Sequence, residues 1–397
     1  MEQPVKKIKV LFLSAWYPSI VDPMLGLFVE RHARAVAMKC NTAVLYVQPC
    51  QQEISVKFKT EIKKEQDFIQ IIVYYNNVLL KFPILTYLLK TCRYLRAYRI
   101  GFREVKKQFG DYDIIHVNIL TRTGVIALSK KIFSGKPYII TEHWSRYLAL
   151  TNTYRGFFRK ILTRIIVKNA SAVTTVTDDL KEAMIRHKLN NPNFKVIPNV
   201  VDTDAFTIGK KKEDPVINIL HVSCFEDRSK NISGILRVLK KISGIRNDFI
   251  CWMVGDGMDK PKIEKLAKEL ELHNRKVFFP GLKENRELIE FYQNSDFLLM
   301  FSNYENMPVV IPEAFSCGLP VIATEVGGIP EVINDSNGIL VKVKDEIALE
   351  NAINKMLDAY KTFDNNKLRN FAIQNFSKEV VSESFYNIYK QIIENKS

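Results

Sequence analysis

The feature that most constrains this chain is an alternation, present in both halves, of short apolar runs with stretches of helical period. In the first half KVLFLSAW (9–16), TAVLYV (42–47), DIIHVN (113–118), PYIITEH (137–143) and SAVTTVT (171–177) read as strands, with helices at GLFVERHARAVA (26–37) and TGVIALSKKIF (123–133). Runs that are apolar throughout belong to strands covered on both faces, and the intervening helices serve as crossovers of a parallel sheet. Residues 52–75 read as an inserted β excursion. A polar, proline-bearing stretch, LNNPNFKVIPNVVDTDAFTIGKKKEDP (189–215), interrupts the pattern and marks a linker near 200–215. The alternation then restarts, with strands at 216–223, 249–255, 276–281, 296–302, 320–324 and 338–342 and helices at 230–242 and 259–270.

Because one core rarely grows beyond about 250 to 300 residues, a chain of 397 residues is expected to form two domains. We place them at 1–203 and 204–376, with a terminal helix, 377–397, that crosses back to the first. The fold class is α/β, two doubly wound domains facing across a cleft at the carboxyl ends of their strands, where such sheets bind ligands.

Charge divides the halves. Residues 1–200 carry 32 Lys and Arg against 14 Asp and Glu, whereas the remainder carries 26 against 29. The basic residues concentrate at 81–107 and 154–169, interleaved with Phe, Tyr, Leu and Ile. That composition suits helices lying on an anionic membrane surface, and it also suits ordinary amphipathic helices with a solvated basic face. No window approaches 18 uninterrupted apolar residues, so no membrane span is expected. The six cysteines form no C-x-x-C pair and the first residues show no signal-peptide core. The expected location is cytoplasmic, peripheral on the inner face of the plasma membrane. No nucleic-acid-binding signature is present.

One stretch carries chemistry: SNYENMPVVIPEAFSCGLPVIATEVGGIPEVI (302–333). A strand ending near 302 runs through a turn into a helix expected to start near Pro308, where proline's missing N–H costs nothing. Unpaired N–H groups and the positive dipole end make that terminus suitable for phosphate. Glu305 and Glu313 flank it, and carboxylates match vicinal hydroxyls well. Two isolated glutamates at this spacing would instead be a surface turn and an ion pair.

Residues 305–331 resemble the pattern of glycosyltransferase family 4, E-x7-E running into E-A-x-x-x-G-x-P-V-I-A-T-x-x-G-G-x-x-E. The resemblance implies a GT-B fold of two Rossmann-like domains and a retaining transfer from a nucleotide diphosphate sugar. It places Glu313 on the ribose, and Glu305 with the backbone of Asn306, Met307 and Pro308 on the sugar and β-phosphate. VIPNVVD (196–202), VGDG (254–257) and FFPGLKENRELIEFYQNSD (278–296) are similar to further family segments, the last bringing Lys283 near the base. Lys230 corresponds to the basic residue on the diphosphate. Its usual arginine companion is replaced by Cys224, and Arg228 is the nearby substitute. In the first domain Gly26 precedes the helix that faces the donor phosphates. DIIHVN aligns with D-x-x-H-x-H, which assigns His116 and Asn118 to acceptor or donor sugar, although Asn118 stands where the family has a titratable His. His143 lies at the end of the next strand.

The resulting expectation is a retaining hexosyltransferase that moves a sugar to a hydroxyl of a lipid-linked saccharide in bacterial cell-surface polysaccharide synthesis. Glu305, Lys230, Arg228 and His143 are its catalytic candidates, and it needs neither metal nor cofactor. A nucleotide-sugar epimerase of the same fold and a non-catalytic nucleotide-sugar-binding scaffold are the alternatives.

Overall fold

The computed structural model describes residues 7–50, 56–76, 81–120, 122–149, 151, 153–210 and 215–395. Two compact units emerge. The first comprises Met1–Val176, Lys181–Val200 and Lys378–Ser397, and the second Thr177–Leu180 and Val201–Ser377.

In the first unit the described elements are β1 (Lys9–Ser14), α1 (Leu27–Ala37), β2 (Asn41–Cys50), β3 (Phe58–Lys64), β4 (Phe68–Asn76), α2 (Pro83–Gln108), β5 (Ile114–Asn118), α3 (Arg122–Ser134), β6 (Tyr138–Glu142), α4 (Phe157–Asn169), β7 (Ala172–Thr175), α5 (Asp178–Arg186) and β8 (Phe194–Val196). The sheet order is β3-β4-β2-β1-β5-β6-β7-β8. All pairings are parallel except β3 with β4. The expected β excursion is therefore corrected in part. β4 joins the main sheet as the parallel neighbour of β2 because its apolar run, FIQIIVYYN, is buried along most of its length, and only β3, half charged, is left as the antiparallel edge. Residues 51–55, where that excursion was expected to begin, lie outside the described residues.

The second unit contains β9 (Ile217–Val222), α6 (Asp227–Lys230), α7 (Ile232–Ser243), β10 (Phe249–Val254), α8 (Lys260–Glu269), β11 (Val277–Gly281), α9 (Asn285–Gln293), β12 (Phe297–Leu299), α10 (Val310–Ser316), β13 (Val321–Thr324), β14 (Gly338–Val341), α11 (Glu346–Ala359) and α12 (Asn365–Phe376). Its sheet order is β11-β10-β9-β12-β13-β14, parallel throughout. Ile219, Leu236, Phe249, Met253, Phe297, Leu299 and Ile353 form the centre of its core.

The chain then returns to the first unit as α13 (Lys378–Glu394), whose Val381, Phe385, Ile388 and Tyr389 sit in the core formed by Val10, Phe12, Val44 and Ile139. Parallel pairing brings the carboxyl ends of neighbouring strands level. Ser14 lies opposite Asn118 and Asn118 opposite Thr141, so the loops after β1, β5 and β6 emerge side by side.

Candidate active site

In the second unit the candidates converge after β9 and β12. The helix expected over 230–242 is broken. Asn231 adopts φ 49, the left-handed conformation that asparagine tolerates, and separates α6 from α7. Lys230 therefore ends a short helix rather than opening a long one. Its Nζ lies 2.5 Å from Glu305 Oε1, which also accepts a hydrogen bond from Ser302 Oγ at 2.9 Å. Both members of the pair are largely buried. Burial works against the Lys230 charge, but the Glu305 carboxylate overrides it and holds the ammonium above its ordinary value.

Asn303 ties the two loops together through its backbone and its side chain. Asn303 N–H donates to Ser229 O at 2.7 Å and Asn303 Nδ2 to Arg228 O at 2.9 Å. The Arg228 side chain is exposed and makes no hydrogen bond or ion pair with the described residues, and Cys224 is exposed too.

Beneath this turn lie the paired glycines of TEVGG. Gly327 has φ +54, and a Cβ there would stand 2.1 Å from Glu305 O. Gly328 N–H donates to Asn306 O at 2.9 Å. Only residues without side chains permit this approach, which shapes the Glu305–Asn306 backbone from below. Asn306 Oδ1 also accepts a bond from Thr177 Oγ1 at 2.9 Å.

α10 starts at Val310, two residues later than expected near Pro308, and Pro312 sits inside its first turn, where the backbone N–H has no intrahelical partner in any case. Met307 is buried and Pro308 half-buried ahead of the helix. Glu313, 2 % exposed, accepts a bond from the Tyr292 hydroxyl at 2.9 Å, and Tyr292 packs edge-on against Phe206. Glu313 is therefore set within the unit beside α9 rather than displayed on its surface. Lys283 pairs with Glu287 at 3.3 Å and lines a cavity of about 430 Å³ with Trp252, Pro280 and Phe291.

In the first unit Gly26 has φ 77 and begins α1. The chain itself approaches closely there, since a Cβ would lie 2.5 Å from the Trp16 carbonyl. Asn118 is fully buried, and its Oδ1 accepts from His143 Nε2 at 3.1 Å. His143 packs between Phe28 and His32, with ring centroids 4.6 and 5.2 Å away. Burial first, then the His32 and His116 rings, push it well below its ordinary pKa, so it is neutral at physiological pH.

His116 is corrected as a sugar contact. It lies two residues back from the strand end, fully enclosed, with Nδ1 bonded to Tyr389 OH at 2.7 Å and Nε2 to Thr141 Oγ1 at 2.6 Å, so it fastens α13 to the sheet. The structure adds one group beside His143. Glu142, fully buried, accepts backbone N–H bonds from both flanking loops. Its signal in the sequence was a charged residue at the end of an otherwise apolar run.

Among the described residues no group of three or more His, Cys, Asp or Glu is arranged to hold a metal ion. No helix among them is long and apolar enough to cross a membrane.

Paired Rossmann-like units with an acid-base pair at the strand ends of the second define a class, the GT-B glycosyltransferases. Comparison with known proteins supports this. Residues 201–375 match the family described as Glycosyl transferases group 1, and residues 60–205 match Glycosyltransferase Family 4. Sucrose-phosphate synthase from Thermosynechococcus elongatus superposes with a TM-score of 0.77 at 21 % identity, covering 98 % of this chain and 100 % of that one. HepE from Anabaena, solved in complex with UDP, gives 0.71 at 17 % identity over 97 % and 100 % of the two chains. In sequence the chain is 26 % identical to the N-acetyl-alpha-D-glucosaminyl L-malate synthase of Bacillus anthracis over 71 % of its length and 75 % of the relative. It is 22 % identical to the putative teichuronic acid biosynthesis glycosyltransferase TuaC of Bacillus subtilis over 88 % and 89 %. The chain thus carries a Glycosyltransferase Family 4 domain at residues 60–205 and a Glycosyl transferases group 1 domain at residues 201–375.

Proposed function

We propose that the protein is a retaining hexosyltransferase that takes a sugar from a nucleotide diphosphate donor and places it on a hydroxyl of a lipid-linked saccharide during cell-surface glycan synthesis. The observation that carries this reading is the Lys230–Glu305 pair, a buried ammonium held charged at the end of α6 and oriented by a carboxylate. A donor diphosphate brings about two negative charges to that ammonium, and the exposed Arg228 guanidinium adds a second cation from the same short helix. Glu305 is then free to accept from sugar hydroxyls while Lys230 turns to phosphate. Charge developing on the departing diphosphate is stabilised by groups already in place, the largest single source of rate enhancement in many enzymes. Attack from the face that the diphosphate leaves, with a phosphate oxygen taking the acceptor's proton, requires no enzymic nucleophile and no metal.

Glu313, fixed by Tyr292, is the ribose acceptor in this scheme, and the backbone of 306–308 serves the β-phosphate. Lys283 lies nearer the base. Within the first unit, His143 and Asn118 are neutral hydrogen-bonding groups of a kind that suits sugar hydroxyls. The relatives named for glycan chemistry, and the UDP held by HepE, support the class of donor and product.

The lipid-linked acceptor rests on the first unit's surface. Phe157 and Phe158 of α4 are 73 % and 85 % exposed, and Ile84 of α2 is 78 % exposed, all within strongly basic helices. Exposed apolar side chains on basic helices suit an anionic bilayer surface.

The donor reading is tested by thermal shift with UDP-, GDP- and ADP-sugars. One of them is expected to raise the Tm of the wild type, since a ligand that binds only the native state stabilises it. Lys230→Ala should remove that rise, and a Lys230→Ala shift equal to the wild type's would reject the assignment. Release of free nucleoside diphosphate only when acceptor is present separates a transferase from a binding scaffold.

A further inference from the structure

We infer that Glu142 is a positioning residue of the sugar site: one buried carboxylate locks the ends of β5 and β6 and so aims Asn118 and His143, an inference that rests on the site reading above.

The chain leaving β5 turns through Ile119 at φ 66. That conformation is disfavoured for any side chain and most of all for a β-branched one, and it persists only where the surroundings fix it. Here backbone groups on either side of it are held by hydrogen bonds. Asn118 O accepts from Ala15 N–H at 3.2 Å, Ile119 N–H donates to Thr141 O at 2.9 Å, and Ile119 O accepts from Thr123 Oγ1 at 2.9 Å. The last of these anchors is the next amide, Leu120 N–H, which donates to Glu142 Oε2 at 2.9 Å. The other oxygen, Oε1, accepts from His143 N–H and Trp144 N–H, each at 2.9 Å.

One side chain thus spans two strand ends, holding Leu120 two residues after Asn118 and the His143 and Trp144 amides, and across that span His143 Nε2–H donates to Asn118 Oδ1. The Asn118 amide is left with Nδ2 buried and without an acceptor among the described residues. A sugar hydroxyl would satisfy it. The acidic residue is costly where it stands: burial raises the pKa of Glu142, while the three backbone bonds and the Arg146 charge oppose the rise. The Tyr147 phenol faces it as well. A buried charge that serves only packing is more simply replaced by an apolar residue, whereas a group accepting three N–H bonds from two loops sets their geometry.

The test uses full-length protein labelled with 15N-histidine. The wild type should show His143 as a single neutral tautomer protonated at Nε2. Glu142→Gln offers one acceptor and one donor in place of two acceptors. Glu142→Asp keeps the charge and the two local bonds but falls short of Leu120, and it holds the test open if the glutamine variant does not fold. In either folded variant the His143 ring signals should shift toward a tautomer mixture. Turnover of whichever of UDP-glucose, UDP-N-acetylglucosamine or GDP-mannose the wild type uses should fall at least tenfold in kcat, with donor KM within about twofold. Val173→Ala, a core truncation on β7, controls for lost stability. Unchanged ring signals in both folded variants, or an equal kcat loss in Val173→Ala, would overturn the inference. If the wild type uses no nucleotide sugar, the site reading fails by itself, and the ring signals still decide whether Glu142 orders the pair.

Discussion

Glu313 illustrates what a residue alone can and cannot announce. Its place in E-x7-E was legible, because the spacing and the glycines that follow are chemical features of the chain. Its burial was not, since that depends on Tyr292, which lies 21 residues earlier in sequence and meets it only in the fold. Tyr292→Phe removes one hydrogen bond to a buried carboxylate. The expected cost is about 1–3 kcal/mol in urea unfolding, with weaker donor affinity by titration and an unchanged far-UV spectrum. Histidine shows a second residue-scale effect. Burial lowers the pKa of His32 and of His221 to about 4. Below the ordinary value of 6.5 the unfolded chain takes up protons that these folded rings refuse, so stability declines as pH falls from about 6.5 towards 4. Each contributes a slope of up to about 1.4 kcal/mol per pH unit. Urea midpoints measured across that window should drop with acidification, and His32→Gln should flatten the slope; an unaltered slope would mean that His32 titrates normally in the fold.

Elements were easier to read than their joints. The strands of both sheets follow from apolar runs of the right length, and α7 from its helical stripe of Ile232, Ile235, Leu236, Leu239 and Ile242. The break at Asn231 went unread because left-handed geometry is one option for asparagine, selected here by what surrounds it. Asp227 Oδ1 accepts from Ser233 N–H at 2.8 Å across the break, and Asp259 Oδ2 from Asp227 N–H at 2.8 Å. The loop after β13 is the most sensitive joint. At Gly327 an added methyl group would meet the Glu305 carbonyl oxygen, and at Gly328 it would meet the Thr177 side chain. Gly327→Ala is therefore expected to reduce turnover more than tenfold while Tm falls only a few degrees, measured by steady-state kinetics beside calorimetry. Wild-type turnover in that variant would show that the turn tolerates displacement.

At the scale of the whole molecule, charge separates the two halves of the chain, and exposure gives the separation its meaning. The formal net charge of +15 comes from the first half, and there the basic residues of α2 and α4 stand beside exposed aromatic and aliphatic side chains. The protein is expected to sediment with vesicles containing phosphatidylglycerol and to be released as salt rises, because the Debye length shrinks from about 10 Å at 0.1 M to about 3 Å at 1 M. Equal binding to neutral phosphatidylcholine vesicles would remove the electrostatic basis, and replacing Phe157 and Phe158 by Ser should weaken sedimentation several-fold without changing donor-induced thermal stabilisation. By itself the sequence determined the alternation of strands and helices, the need for two cores, the helical period of the last segment and the E-x7-E motif, since all of these are local patterns or consequences of chain length. Only the tertiary structure decided that His116 is a fastener, that Lys230 and Glu305 are already paired, and that Glu142 joins two strand ends, because each depends on residues 22 to 273 positions apart being brought within hydrogen-bonding distance by the sheets.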